Sequence, residues 1–168
     1  NESWRLAGQN FWNPREYLNV MILKEQNGES WALSPEVFET YPLDGLSTRP
    51  DDCECNPYSE LFQMCFVNTN DANVNYKTVI HEVGHALGLL HVFSFNSCST
   101  SDYCPDTYSY DREIPSWPAC PDNIIGEIHD NYMDYTGDRN TFSYDQRSRI
   151  RHVMKYALWL NELKYSTK

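Results

Sequence analysis

The 168 residues predict a single domain of the mixed α/β (α+β) class. Two short apolar runs, residues 17–23 and 61–68, have the length and composition of buried strands. Two further segments, residues 79–90 and 143–158, place apolar side chains at helical spacing. No repeat, low-complexity tract or linker divides the chain, and its length suffices for one sizeable core.

The predicted strands lie in the first half of the chain. Residues 17–23 form the first, and residues 30–38 form a second. Pro35 places that second strand at a sheet edge, because proline cannot donate a hydrogen bond to a neighbouring strand. Residues 61–68 form the third, which we expect at the centre of the sheet.

The two predicted helices have recognisable starts. Asn75 or Thr78 caps the first, and Ser143 with Gln146 forms a capping box at the second. We expect the first helix to bury its apolar side, which consists of Val79, Val83, Ala86, Leu87 and Leu90. The apolar stripe of the second consists of Ile150, Val153, Met154, Ala157 and Leu158.

The spacing of three histidines predicts a metal site. His81 and His85 are four residues apart and therefore share one face of a helix. If the helix continued, His91 would lie roughly 9 Å further along the axis than His85, too far to share an ion. Gly88 allows His91 to reach the same ion, because glycine can end a helix at positive φ and let the chain turn back. Three imidazoles and an open fourth position are typical of a catalytic zinc.

Glu82 supplies the acid that such a site needs. It lies about 100° around the helix from His81 and can lean over the same point without being a ligand. Zinc held by three histidines lowers the pKa of its water from about 15.7 to about 7. We therefore expect Glu82 to act as general base and then as acid to the leaving amine. The alternative is a solvated helix carboxylate.

A second motif supports the zinc site and indicates a family. Residues 81–91 match the metzincin form of the zinc-protease motif, which requires a methionine turn further along the chain. Met133 lies in such a stretch, Asn-Tyr-Met-Asp-Tyr at residues 131–135. Together with residues 142–146 and Arg149, these stretches resemble the pappalysin family of metzincins. The resemblance extends from residue 17 to about residue 154.

The resemblance implies a metzincin-like fold. A twisted mixed sheet and the zinc helix would form an upper subdomain of about residues 1–91, above the active-site cleft. An irregular lower subdomain of about residues 92–168 would end in a helix. In this fold an edge strand over the cleft pairs with extended substrate, and residues 30–38 are the candidate. An ordinary surface strand is an equally good interpretation.

The resemblance also assigns roles to single residues. Met133 would form the apolar floor under the zinc, and Tyr135 would stabilise the tetrahedral intermediate, with simple packing as the alternative for Tyr135. Asp102, Asp106 and Thr107 are similar to a family segment whose oxygens help bind calcium, which takes six to eight oxygen ligands. A solvated acidic loop is the alternative there.

The cysteines match the family only in part. Cys98 and Cys120 match one family disulfide. A second family disulfide cannot form, because the cysteine that follows the methionine turn in the family is absent here. The family gives no guide to the remaining four cysteines, which are Cys53, Cys55, Cys65 and Cys104.

The segment after Met133 is about two residues shorter than in the family and carries two adjacent charges, Asp138 and Arg139. Adjacent residues of an extended stretch point in opposite directions, so only one faces the pocket for the residue after the scissile bond. We take Asp138 to face it, which would favour Lys or Arg in the substrate. Arg139 is the alternative, which would repel basic residues and favour acidic or neutral ones.

Composition limits the classes of binding partner and the cellular compartment that we expect for this chain. The net charge of −11 argues against nucleic acids and anionic membranes, and no apolar run approaches the length of a membrane span. Six cysteines without a C-x-x-C motif favour disulfides and an oxidising, extracytoplasmic location. The chain begins with Asn1 and has no signal-like segment, which predicts a processed or truncated piece of an exported protein.

We therefore expect a secreted, monomeric zinc metalloendopeptidase acting on protein or peptide substrates. One alternative is a zinc-bearing binding module that has lost catalysis, although metal binding alone would not require Glu82. The other alternative is a zinc hydrolase of non-peptide amides.

Overall fold

The computed structural model confirms the mixed α/β class. It describes residues 9–24, 29–54, 64–70, 75–94, 102–113, 120, 130–135, 139–163 and 165. Seven strands and three helices lie in this part of the chain. In chain order they are β1 (Asn19–Leu23), β2 (Trp31–Ala32), β3 (Val37–Phe38), β4 (Thr48–Arg49), β5 (Met64–Asn68), α1 (Tyr76–Ala86), β6 (Phe93–Ser94), β7 (Tyr110–Asp111), α2 (Tyr144–Tyr156) and α3 (Leu160–Leu163).

The main sheet is mixed, with β5 between β1 and β2. Strand β1 runs parallel to β5, and β2 runs antiparallel to it. All five residues of β5 are buried, which confirms the predicted central strand over the described part of residues 61–68. Trp31 of β2 stacks on Phe66 of β5 with ring centroids 4.4 Å apart, so the short edge strand is held by an aromatic contact as well as by its ladder.

The segment predicted as one strand over residues 30–38 forms two. Strand β2 lies at the edge of the main sheet, as expected, but β3 leaves that sheet and pairs in parallel with β4. Pro35 lies between the two strands, and a residue without an N–H interrupts continuous pairing. Val37 of β3 is fully buried and bridges to Ala157 near the end of the chain.

Helix α1 begins and ends where the sequence predicts. Asn75 is its N-cap, and Thr78 completes a capping box. The C-cap is Leu87, and Gly88 follows with φ of +85°, the left-handed conformation that glycine adopts most readily. A Cβ at Gly88 would also lie 2.6 Å from Val153 Cγ2 on α2, so the turn leaves no space for a side chain.

The prediction that α1 buries its apolar side holds in part, because Ala86 of that side is fully buried but the histidine side is buried as well. The buried residues of α1 include His81, Glu82 and Gly84, whereas Val79 and Val83 are only half-buried. The reason is a long-range contact on the histidine side. A Cβ at Gly84 would lie 2.5 Å from the Met133 sulfur, so the methionine turn packs directly against this face.

Helix α2 closes the molecule against the first half of the chain. Its predicted capping box is confirmed: Gln146 N donates to Ser143 Oγ over 3.1 Å, and Ser143 N donates to Gln146 Oε1 over 3.0 Å. The helix ends at Tyr156, before the last residues of the predicted stripe. The buried cluster it joins consists of Val37, Val153, Ala157 and Leu160.

Arg149 on α2 connects three distant segments. Its Nε donates to the Gly88 carbonyl and its Nη2 donates to the Asp44 carbonyl, both over 2.7 Å. The guanidinium also lies 5.7 Å from the ring centroid of Tyr103. Arg149 is only 5% exposed, and burial lowers the pKa of its guanidinium. The carbonyl at the turn between His85 and His91 is thus satisfied by a residue of the closing helix.

We expect Arg149→Met to lower the free energy of unfolding by about 2–4 kcal/mol, because it leaves two carbonyls without a charged donor. Urea unfolding of the metal-loaded protein measures the change. The matched control is Arg151→Met, an exposed position on the same helix, where we expect a change within about 0.5 kcal/mol. Equal effects at the two positions would contradict the role given to Arg149.

Candidate active site

Three imidazoles meet at one point beside α1. The Nε2 atoms of His81 and His85 are 3.1 Å apart, and those of His81 and His91 are also 3.1 Å apart. The third pair, His85 and His91, is separated by 3.0 Å. Helix α1 supplies the first two side chains, and the turn at Gly88 returns the third. The same group is the cluster of described residues able to hold a metal ion.

The outer nitrogens of the rings orient this cluster. His81 Nδ1 lies 2.7 Å from the Tyr132 carbonyl oxygen, and His85 Nδ1 lies 2.9 Å from the Leu89 carbonyl oxygen. A carbonyl only accepts, so each Nδ1 carries the proton and each Nε2 presents its lone pair to the common point. Ligand nitrogens of a tetrahedral zinc lie roughly 3.3 Å apart, and the observed separations are close to this. The donor set therefore fits zinc.

Burial keeps the three rings in the neutral form that a metal requires. It lowers the pKa of His81 to about 3, with the neighbouring His85 adding to the effect. It lowers the pKa of His91 to about 2 and also lowers that of His85. Neutral imidazole is the ligand form.

Glu82 lies next to His81 on α1 and is only 5% exposed. Burial raises the pKa of its carboxyl to about 7, while the positive charge of Arg139 acts in the opposite direction. A carboxyl with a pKa near neutrality can accept and return a proton.

Met133 lies under the histidine helix and is fully buried. It packs in a cluster that includes Leu89 and Tyr110. Its N–H donates to Asn131 Oδ1 over 2.8 Å, and the Asn131 side chain pairs with Gln146, Nδ2 to Oε1 over 2.8 Å and Nε2 to Oδ1 over 3.1 Å. Gln146 therefore caps α2 and also holds the methionine turn.

Tyr135 lies beside two of the three histidines. Its ring centroid is 5.4 Å from that of His81 and 4.8 Å from that of His91. Its side chain remains accessible, because the residue is 49% exposed. Burial of the hydroxyl and the charge of Glu82 raise its pKa. Tyr135 can therefore offer a protonated hydroxyl at neutral pH.

Sequence reasoning missed the group that holds Tyr135. Asp134 is fully buried, and its carboxylate accepts hydrogen bonds from Tyr110 Oη over 2.9 Å and from the Tyr135 N–H over 2.6 Å. Arg112 Nη1 lies 3.3 Å from the same carboxylate, and its guanidinium covers the Tyr135 ring at 5.2 Å. The sequence offered one signal for this group, an acid directly after Met133. If that acid is buried with the methionine, it needs hydrogen-bond donors from elsewhere in the chain.

Of the two residues predicted for the specificity pocket, the structure describes only Arg139. Arg139 is 9% exposed, and its Nη1 donates to the Asp134 carbonyl over 2.9 Å. Asp138 lies outside the described residues.

The segment predicted to bind calcium forms a loop with hydrogen bonds between its own residues. Asp102 is buried, and its Oδ2 accepts from Thr107 Oγ1 over 2.8 Å. Burial raises the Asp102 pKa to about 6. Asp106 Oδ2 accepts from the Asp145 N–H at the start of α2, whereas the buried Asp106 Oδ1 has no hydrogen-bond partner among the described residues.

The cysteines fall into two groups. Cys53 and Cys120 are disulfide-bonded. Cys65 and Cys104 are buried free thiols, and burial raises the pKa of each to about 12. Cys98 lies outside the described residues, so the Cys98–Cys120 pairing stays a prediction.

Comparisons with known proteins agree with this geometry. The family model described as Pregnancy-associated plasma protein-A (Peptidase_M43) matches residues 5–155. The chain is 46% identical over 81 residues to an extracellular metalloprotease of Arthroderma otae, covering 44% of this chain. It is 38% identical over 85 residues to extracellular metalloprotease 1 of Coccidioides posadasii, covering 47% of this chain.

A third relative, an extracellular metalloprotease of Arthroderma benhamiae, is 36% identical over 107 residues, or 54% of this chain. The three matches span only 30–36% of each relative's own length. No solved structure matches the chain. Within the described residues, no helix is long and apolar enough to cross a membrane.

We expect the metal-free protein to show opposite pH effects at two neighbouring positions. The folded-state pKa of His91 is lowered, so its contribution to stability is lost as pH falls below about 6.5 and the unfolded chain binds a proton. The folded-state pKa of Glu82 is raised, so its contribution is present below about pH 4.5 and is lost as pH rises towards 7.

Between pH 6 and pH 5, His91→Gln should therefore flatten the loss of stability on acidification, and Glu82→Gln should steepen it. Each change should approach roughly 1.4 kcal/mol per pH unit, the value for one proton. Urea unfolding in chelator at several pH values provides the slopes. Changes of the same sign for both variants would contradict these assignments.

Proposed function

Because the chain belongs to the pregnancy-associated plasma protein-A family of peptidases, M43, we propose that it is a zinc-dependent endopeptidase that hydrolyses protein or peptide substrates. The observation that carries the proposal is the convergence of three neutral imidazoles, 3.0–3.1 Å apart, beside a buried carboxyl. The family model spans most of the chain, and the relatives' names indicate extracellular metalloproteases.

His81, His85 and His91 would hold the zinc through their Nε2 atoms. When bound there, zinc activates a water and polarises the scissile carbonyl. The chain's own contribution to this step is to keep the rings neutral and fixed, with Nδ1 of His81 and His85 donating to backbone carbonyls. Met133 would support the histidine helix from below, in contact distance of Gly84.

Glu82 is proposed as the residue that moves the proton. It accepts the proton of the attacking water and then donates it to the leaving amine nitrogen. Its burial and its raised pKa, near 7, support both halves of this exchange. The partial exposure of His85 and His91 supports access of substrate to the cluster.

Tyr135 is proposed to donate a hydrogen bond to the oxyanion that develops on the scissile carbonyl. This role is supported by its position beside His81 and His91 and by its exposure to the cleft. The Asp134 carboxylate and the Arg112 guanidinium restrict where its ring can lie.

Substrate is proposed to bind as an extended strand along β2. Among the described residues this strand lies at the edge of the main sheet, antiparallel to β5. An edge strand is the usual place for strand addition by an extended peptide. We further propose that the protein acts outside the cytoplasm as a monomer, with subdomains of about residues 1–91 and 92–168 on either side of the cleft.

The decisive experiment is a peptide-library digest with cleavage-site mapping, combined with elemental analysis of the purified protein. We expect about one zinc per chain and cleavage that a chelator abolishes and added zinc restores. Glu82→Gln should keep the metal but lose roughly 10²–10⁴-fold in kcat. Near-full activity of Glu82→Gln would exclude the general-base role, and zinc binding without cleavage of any peptide would favour a binding module. Cleavage of non-peptide amides alone would favour the other alternative.

Tyr135→Phe should lower kcat by about 10²-fold and change KM much less, because the lost hydrogen bond forms only in the transition state. Steady-state kinetics on one mapped peptide separates the two constants. The matched control is Tyr76→Phe, an exposed tyrosine at the start of α1, which should leave both constants unchanged. An effect of Tyr135→Phe confined to KM would make it a substrate-binding residue instead.

We also propose a structural calcium ion at the segment formed by Asp102, Asp106 and Thr107. The unpartnered, buried Asp106 Oδ1 supports it, since a bound cation would satisfy that oxygen. Calcium should raise the melting temperature of wild type by several degrees, and Asp106→Asn should remove that rise. The control is Glu113→Gln, at an exposed position six residues after Thr107. The absence of any calcium-dependent shift in wild type would contradict the proposal.

A further inference from the structure

Arg139 is a buried cation at the candidate active site that forms no ion pair with another described residue. The residue is 9% exposed. Its Nη1 donates to the Asp134 main-chain carbonyl over 2.9 Å. Its Nε is buried and has no hydrogen-bond partner among the described residues. Burying a guanidinium in this state is unfavourable unless another group completes its interactions.

The side-chain carboxylate of Asp134 is already engaged by other donors. The Asp134 carboxylate is shared by the Tyr110 hydroxyl, the Tyr135 N–H and Arg112. The ion pairs formed by described residues do not include Arg139. The guanidinium of Arg139 therefore retains capacity for one more acceptor.

The position of Arg139 relates it to substrate. Its charge acts on Glu82 and on Tyr135, the two residues to which we assign proton transfer and oxyanion stabilisation. It also acts on His81, one of the three clustered histidines. A second cation, Arg112, lies over the Tyr135 ring, with its Cζ 5.2 Å from the ring centroid. Although the whole chain carries a charge of −11, two guanidinium groups thus lie around Tyr135, beside the carboxylates of Asp134 and Glu82.

We propose that Arg139 binds a carboxylate of the substrate next to the scissile bond, so that the enzyme prefers acidic peptides to basic ones. This inference rests on the proposed function and names its substrate class. A guanidinium with a free N–H donates a charge-assisted hydrogen bond to a carboxylate. A lysine or arginine at the same subsite would place two like charges in a partly desolvated pocket. The carboxylate is supplied either by an Asp or Glu side chain or by the C-terminus of a short peptide.

The interpretation replaces the one we preferred from sequence, in which Asp138 faces the pocket and selects basic residues. Adjacent residues of an extended segment point in opposite directions. The buried position of Arg139 is the one expected if the pocket carries the positive charge.

The test compares peptides that differ in charge alone. After cleavage sites are mapped, one peptide is made with Glu, Gln or Lys at each position flanking the scissile bond, and each version is made with a free or an amidated C-terminus. We expect kcat/KM for Glu to exceed that for Gln by roughly 10- to 100-fold at one position, with Lys lowest. A preference that follows the free C-terminus instead would identify the chain end as the carboxylate.

Three variants assign the preference to a residue. Arg139→Gln should bring Glu and Gln peptides to equal kcat/KM and raise the rate with Lys. Arg147→Gln, an exposed arginine on α2, should leave the acidic preference intact, and so should Asp138→Asn. A wild-type preference for Lys or Arg, or an acidic preference that survives Arg139→Gln, would overturn the proposal.

A binding measurement separates failure of this inference from failure of the proposed function. Zinc-loaded Glu82→Gln protein is titrated calorimetrically with the same Glu, Gln and Lys peptides, so that no hydrolysis is required. We expect affinity to fall in that order and the Glu–Gln difference to shrink with added salt. If wild type cleaves no peptide while Glu82→Gln still shows this order, the endopeptidase proposal fails and the carboxylate site stands. If wild type cleaves peptides without regard to charge, and binding also ignores charge, the carboxylate site alone fails.

Discussion

Three imidazole nitrogens must reach one point, and a helix can supply only two of them. This constraint organises the structure around the active site. Helix α1 presents His81 and His85 on one face, ends at Ala86, and turns at Gly88 with φ of +85° so that His91 returns to the same point. The turn leaves backbone carbonyls without helical partners. One of them, at Gly88, is satisfied by Arg149, a residue 61 positions further along the chain.

The same dependence on distant residues holds for the rest of the site. The methionine turn approaches α1 closely because Gly84 has no side chain to prevent it. The methionine turn is fixed by a hydrogen bond from Asn131 to Gln146, which also caps α2. The first helix, the turn and the closing helix therefore form one interlocked unit, and none of them has the complete set of hydrogen-bond partners by itself.

Features that depend on local sequence were predictable. The cap at Asn75, the end of α1 near Leu87 and the Ser143–Gln146 capping box follow from side chains that satisfy backbone groups a few residues away. The convergence of the histidines also followed from spacing, because the helix repeat and one glycine set their directions. The family motif predicted the methionine turn. Its contact with α1 was not evident from local sequence, because the two segments are far apart in the chain.

Features that depend on tertiary contacts were not predictable. Periodicity indicated that Val79 and Val83 would be buried, yet both are only half-buried, and the methionine turn covers the opposite face, which is buried as well. Arg112 lies in a stretch without periodicity, and only the folded chain brings it to Asp134 and Tyr135. The choice between Asp138 and Arg139 stays a prediction, because it depends on a register that spacing alone does not determine.

The free thiol of Cys65 has a consequence for how the chain folds. Cys65 is the second residue of β5, has no exposed surface, and carries a pKa raised to about 12 by burial and by the charge of Glu82. Thiol–disulfide exchange requires a thiolate, so the folded sheet makes this cysteine inert. Before β5 is covered, however, the same thiol would compete with Cys53 and Cys120 for oxidation. In an oxidising compartment the main sheet must therefore assemble before oxidation is complete, and the order of these two events determines whether the cysteines that pair are the correct ones.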